Sequence, residues 1–192
     1  MTTLPSPDAP VLTFAPELLL AAQGIRLLLL DVDGVLTDAS LLYGEDGEIL
    51  KRFNALDGHG IKLLVRSGIH PVIISGRDSP ALRRRLSDLG VRYALLGCTN
   101  KLGAAETLIA QLGLTWAHVA AMGDDWPDLP LLARAALPCT PPHAHAEALA
   151  LARHGTRAAA GAGAVREVCD LLLMASGRYA LLWHEALGGG AT

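Results

Sequence analysis

Two aspartates one residue apart, Asp31 and Asp33, follow directly on the apolar run Leu27 to Leu30 in "LLLLDVDGVLTD". A carboxylate at the end of a buried strand costs several kcal/mol if it stays unpaired, or it takes up a proton. It therefore either caps the next element or holds a cation. Three more apolar segments end in reactive groups. Ser75 follows "VII", Lys101 comes shortly after "ALLG", and Asp124 and Asp125 follow "VAAMG". One acid at a strand end reads as a cap. Four such ends, each with groups suited to phosphate and metal chemistry, point to a single site.

That chemistry can be written out. Asp31 and Asp124 offer hard oxygen ligands to a divalent cation, with Mg²⁺ the expected occupant and Mn²⁺ and Co²⁺ also compatible. The cation and the Lys101 ammonium would relieve the repulsion between neighbouring carboxylates. Asp31 can then attack phosphorus as a nucleophile and form an aspartyl-phosphate. Asp33 is placed to protonate the leaving alcohol and afterwards to take a proton from water. Backbone amides of the "DGV" turn, the Ser75 hydroxyl and Lys101 would neutralise the phosphoryl oxygens. Gly34 lets the backbone approach a phosphate closely.

These groups meet only if the elements between them are strands and helices in alternation. "PELLLAAQG" predicts a short helix with Pro16 at its start and Gly24 at its stop. "IRLLLL" predicts a strand buried on both faces. "ASLLYGEDGEILKRFN" alternates around "GEDGE", the pattern of a β-hairpin. "LDGHGIKLLVRSG", "SPALRRRLSDLG" and "NKLGAAETLIAQLG" predict helices, with Ser79 as the cap of the second. "HPVIISG", "VRYALLG", "WAHVAAMGDD" and "LPCT" predict strands, and "PDLPLLARA", "PPHAHAEALALA" and "GAVREVCDLLLMASG" predict further helices. The alternation means right-handed βαβ units and a parallel sheet. In such a sheet ligands bind beyond the carboxyl ends of the strands, which is where the four polar ends fall.

Composition excludes several classes. The 192 residues suit one core, and a 51% hydrophobic content favours a packed domain. The 16 Lys and Arg are scattered and the net charge is −3, so no nucleic acid partner is expected. No apolar run approaches the ~20 residues of a membrane span. The N-terminus lacks the basic start of a signal peptide. Cys98, Cys139 and Cys169 are far apart and odd in number, which suits a reducing cytoplasm rather than a disulfide or zinc framework. His59 lines the site or the surface with equal weight, and His143 and His145 lack the acids of a metal cluster. Trp126 touches substrate or packs on the rim, and Trp116 and Trp183 read as packing residues.

The ordered set "DVDGVLTD", "IISGR", "NK" and "GDDWPD", spread over residues 27–128, resembles the four motifs of the haloacid dehalogenase superfamily of phosphotransferases. The resemblance implies a Rossmann-like three-layer α/β/α fold. It gives Asp31 as nucleophile, Asp33 as acid/base and a metal ligand through its backbone carbonyl, Ser75 and Lys101 as phosphate clamps, and Asp124 as the third-motif carboxylate on Mg²⁺. Asp125 and Asp128 would be supporting acids. Dehalogenases of the superfamily lack the acid at Asp33, so its presence implies a phosphatase.

Spacing adds that no cap domain fits between the motifs, only a small hairpin flap at about 39–54. A capless site must act on something large or borrow its lid from another subunit. "GEILKRFNALDGHGIK" and "AGAGAVREVCDLLL" resemble the 3-deoxy-D-manno-octulosonate 8-phosphate phosphatases. That implies a cytoplasmic homotetramer acting on a phosphorylated sugar acid in lipopolysaccharide precursor synthesis, with C-terminal tails that reach a neighbour's site. Gly34, Asn54, Asp57, Gly76, Arg77 and one of Lys51 or Arg52 would then touch the substrate. The expected layout is a flexible segment 1–15, a phosphatase domain 16–178 and a C-terminal tail 179–192. The stretch Ala160-Gly161-Ala162-Gly163 replaces the double glycine usual in that family, so an alanine where φ > 0 is needed would redirect the tail. The alternatives are a phosphatase of a nine-carbon ulosonate 9-phosphate, or a non-catalytic oligomerisation subunit of the same fold.

Overall fold

The computed structural model describes residues 10–188. The run Leu27–Leu30 forms β1, with all four side chains buried. It is flanked by β4 (His70–Ile74) and β6 (Val119–Met122), both parallel to it. With β5 (Tyr93–Leu95), β7 (Leu137–Thr140) and the two-residue β8 (His154–Gly155), the sheet has the order β5-β4-β1-β6-β7-β8. Strand β8 was not expected from sequence, because two residues carry no periodicity.

Alternation along β1 divides the core. Leu28 and Leu30 pack against one helical layer, while Leu27 and Leu29 face the other. The first layer contains α1 (Pro16–Ala22), α2 (Ala55–Arg66), α3 (Pro80–Leu89) and α7 (Ala164–Ala175). The second contains α4 (Lys101–Gln111), α5 (Leu129–Leu132) and α6 (Ala146–Leu151). The architecture is the expected three-layer α/β/α sandwich. Local signals behave as expected: Ser79 accepts from the Leu82 amide, and α3 ends at Gly90 with φ +70°. "WAH" ahead of β6 is a 3₁₀ turn, not strand, with the Thr115 hydroxyl on His118.

Outside the main sheet, β2 (Leu42–Gly44) and β3 (Gly47–Leu50) form an antiparallel hairpin with an irregularity between Leu42 and Tyr43. Leu41, Leu42, Tyr43, Ile49 and Leu50 on it are all exposed. Within the described residues, both expected end segments carry contacts to the core. Phe14 packs on the core and lies edge-to-face with His154; residues 1–9 lie outside the described residues. Tyr179–Leu187 forms a helix, α8, whose Tyr179 and Leu182 reach the core and whose Glu185 meets Arg66 at 2.9 Å. Residues 189–192 lie outside the described residues.

The concern about the Ala-Gly-Ala-Gly stretch is resolved by its glycines. Positive φ falls on Gly161 (+61°) and Gly163 (+111°), and not on the two alanines. Gly161 also lies so close to the chain after β1 that a Cβ there would stand 2.8 Å from Thr37 and Asp38 backbone atoms. Its amide donates to Val35 at 3.2 Å. Ala39 is the one non-glycine with positive φ (+66°) among the described residues.

Candidate active site

The parallel ladder runs to the last residue before each polar end. The Asp31 amide donates to Met122 at 3.1 Å, Ser75 to Leu95 at 3.0 Å and Gly123 to Cys139 at 3.3 Å. Asp31, Ser75 and Asp124 are thereby delivered to one rim of the sheet. Lys101 reaches it from the first residue of α4, whose cap Asn100 accepts from the Gly103 amide.

Asp31, Asp124 and Asp128 each present an oxygen within 4.8 Å of the others. Lys101 is 6% exposed, and its ammonium lies 2.8 Å from Asp31 Oδ1 and 2.7 Å from Asp128 Oδ1. The other Asp128 oxygen accepts the Asp124 amide at 3.1 Å and that of Asp125 at 3.5 Å. Asp128 is therefore spent on bracing the lysine and the loop. That leaves Asp31 and Asp124 as the acids with capacity to spare, and Asp124 Oδ1 is buried with no partner.

The electrostatics show the same imbalance. Burial and the Asp128 charge push Asp31 up to about 6 despite Lys101. Burial and the charges of Asp128, Asp31 and Asp125 push Asp124 up to about 7. Burial alone would lower Lys101, but the Asp128 and Asp31 charges outweigh it and hold the ammonium charged. Three carboxylates around one ammonium, with an orphaned oxygen, fit a hard divalent cation. Two glycines make room for the acids. At Gly34 (φ +89°) a Cβ would stand 2.1 Å from Asp124 Oδ2, and at Gly123 one would stand 2.3 Å from Asp128 Cβ.

Asp33 faces the hairpin and the loop after β4. Its Oδ1 lies 2.5 Å from Lys51 Nζ, and its Oδ2 lies 3.6 Å from Arg77 Nε. Ser75 is 1% exposed, and its Oγ accepts from the Arg77 amide at 3.1 Å across Gly76. Arg77 Nη1 donates to the Tyr43 hydroxyl at 2.9 Å. Sequence reasoning missed Tyr43. Its alternation marks a strand, and nothing in the local pattern shows that the hairpin folds back to meet Arg77.

Four of the residues expected at the substrate have protein partners in this structure. Asp57 is 1% exposed, with Oδ1 accepting from the Arg166 amide at 2.8 Å and Oδ2 from that of Gly163 at 3.3 Å. It caps α7, whose own cap residue Gly163 has no side chain to do so. Asn54 caps α2, accepting from the Leu56 and Asp57 amides. Lys51 is held by Asp33 and by Glu48 at 3.1 Å, and the exposed Arg52 pairs with Asp38. All four are polar neighbours of the motifs in sequence, and each meets a protein group here. The Trp126 indole donates to His145 at 3.2 Å, and His143 lines an open cleft of about 180 Å³ beside Asp124 and Gly34.

No protein-family model matches the chain. It is 42% identical to the 3-deoxy-D-manno-octulosonate 8-phosphate phosphatase of Escherichia coli K12 over 162 residues, 84% of this chain and 86% of that one. The crystal structure of the same enzyme from Moraxella catarrhalis, in complex with magnesium, phosphate and KDO, superposes with a TM-score of 0.85. Identity there is 35%, over 88% of this chain and 98% of that one. The cobalt-bound form of the Haemophilus influenzae enzyme matches with a TM-score of 0.80 and 39% identity, over 83% of this chain and 93% of that one.

Proposed function

Because the chain belongs to the 3-deoxy-D-manno-octulosonate 8-phosphate phosphatase family of the haloacid dehalogenase superfamily, we propose that it hydrolyses that sugar-acid phosphate to the free sugar acid and phosphate. The observation that carries the reading is the buried Asp31–Lys101–Asp128 chain beside the orphaned Asp124 oxygen. It is a site built for one cation and one phosphoryl group.

Asp31 and Asp124 would hold Mg²⁺, with Asp33 adding its carbonyl. When bound, the ion neutralises the acids and draws charge from the phosphoryl oxygens. The protein supplies the rest. Asp31 attacks phosphorus, the P–O bond to the sugar breaks, and Asp33 gives its proton to the departing alkoxide. Water then attacks the aspartyl-phosphate, Asp33 takes back a proton, and phosphate leaves with Asp31 regenerated. Lys101 and Ser75 hold phosphoryl oxygens as charge builds, and Asp128 and Asp125 keep Lys101 and the Asp124 loop in place. Gly34 and Gly76 leave room for the ligand. The Arg77 fork is suited to the sugar carboxylate.

The same reading includes a cytoplasmic homotetramer. Five exposed apolar side chains on a two-stranded hairpin, too small to be stable alone, support association through that element. The test is phosphate release with Mg²⁺ from 3-deoxy-D-manno-octulosonate 8-phosphate, a nine-carbon ulosonate 9-phosphate and hexose phosphates. Asp31→Asn and a chelator serve as controls. A preference for the eight-carbon acid that Asp31→Asn abolishes is expected. Equal rates across the panel would overturn the substrate, and no release from any member would overturn the enzyme.

A further inference from the structure

The geometry points to Lys51 as the positioning residue of Asp33, an inference that rests on the phosphatase reading above. Lys51 follows β3 on the hairpin, and its side chain is 1% exposed. A dehydrated ammonium carries three donors and no acceptor, and it is tolerable only when paired. Its two partners are Glu48, three residues back on the hairpin, and Asp33 across the site mouth. Glu48 is itself 12% exposed on its side chain, with Oε1 buried and unpartnered. The hairpin thus brings a buried ion pair of its own to the carboxylate that must move the proton.

The contact selects one oxygen. Lys51 occupies Asp33 Oδ1 at 2.5 Å, whereas Arg77 Nε stands 3.6 Å from Oδ2, outside hydrogen-bonding distance. Oδ2 is therefore the oxygen left to carry the proton to the leaving alkoxide. Without Lys51 the Asp33 carboxylate loses its hold on Oδ1 and can rotate onto the planar Arg77 fork, a pairing that takes both oxygens. Lys51 holds the Asp33 side chain and not its carbonyl, and it does not pair with Asp31, Asp124 or Lys101, so attack on phosphorus would survive while protonation of the leaving group failed.

Leaving-group dependence separates those two losses. A sugar alkoxide needs its proton, and p-nitrophenolate does not. Lys51→Met keeps the length and removes the charge. It is expected to lower kcat on the sugar-acid phosphate about 30- to 100-fold, with KM within about twofold. On p-nitrophenyl phosphate the loss should stay under about threefold. Glu48→Gln, which loosens the lysine without emptying its space, should show the same split at about 3- to 10-fold, and it answers the question if the methionine variant does not fold. Equal losses on both substrates, or none on the sugar ester, would overturn the role of Lys51 and leave the phosphatase reading standing. A wild-type protein that releases phosphate from neither substrate would overturn both.

Discussion

Replacing Asp124 by Asn removes one charge from a cluster in which three carboxylates face a single lysine. Asp124 is held at about 7, against an ordinary value near 3.8, first by burial and then by Asp128, Asp31 and Asp125. At about 1.4 kcal/mol per pH unit this is a penalty of about 4 kcal/mol on the ionised form. The side chain is partly exposed, and solvent screening brings the expected cost to about 1–2 kcal/mol. Because the folded value lies above the unfolded one, the unfolded chain ionises first. The cost is absent below about 3.8, grows through the interval and is complete above about 7. In EDTA at pH 8 the Asp124→Asn protein should therefore melt about 2–8 °C above wild type, at 2–4 °C per kcal/mol for a chain of this size. At pH 4 the two should melt together. Adding Mg²⁺ reverses the order at pH 8: wild type gains about 2.7 kcal/mol at a hundred times Kd, and the variant gains little and releases no phosphate. Differential scanning calorimetry at the two pH values, with and without the ion, measures all four cases. A variant no more stable than wild type in EDTA at pH 8, or one whose gain is the same at pH 4, would refute the account of strain in the acidic cluster.

Three further substitutions test the scaffold around the site. Gly34→Ala forces a Cβ to within 2.1 Å of Asp124 at φ +89°; it should cut phosphate release at least about 100-fold in a steady-state assay, since displacements of this size cost that much. Asp57→Ala leaves the Gly163 and Arg166 amides unpaired; a loss of about 1–3 kcal/mol is expected, read as a lower urea midpoint with an unchanged m-value. Ala39→Gly relieves a left-handed alanine at φ +66°. The strain of about 1–2 kcal/mol exceeds the entropic cost of glycine, about 0.5–1 kcal/mol, so urea unfolding should show a gain of about 0.5–1 kcal/mol.

What was legible in the sequence is what short-range chemistry writes. Four apolar runs, each ending in an acid, a hydroxyl or a lysine, disclosed the parallel sheet and the rim, because strand direction and the place of the polar end are local properties. Ser79 and the Pro16 start were legible for the same reason. Asp57 was not. It sits in "LDG" beside a motif, and its partners are amides 106 and 109 residues on, set by the packing of α2 on α7. Lys51 looks like any hairpin lysine until the fold buries it against Asp33. The run that forms α8 reads as tail in sequence because its apolar residues acquire a face only when α2 and α7 exist to receive it.

The contact between Asp57 and α7 also sets an order of events. A chain emerging from the ribosome folds its earlier parts first, and every acid of the cluster has been made once Asp128 is out. The loop after β1 stays unbraced until Gly161 arrives to donate to Val35, and Asp57 has no amides to accept from until Gly163 and Arg166 follow. A nascent chain of 130 residues therefore holds all the carboxylates of the site, with Lys51 and Lys101 to pair them, and lacks the Gly161 and α7 contacts behind Val35 and Asp57. The last long helix of the sandwich contributes no ligand, yet its docking completes the first loop of the chain. A truncation that removes it is expected to lower phosphate release, although α7 supplies none of the acids of the cluster.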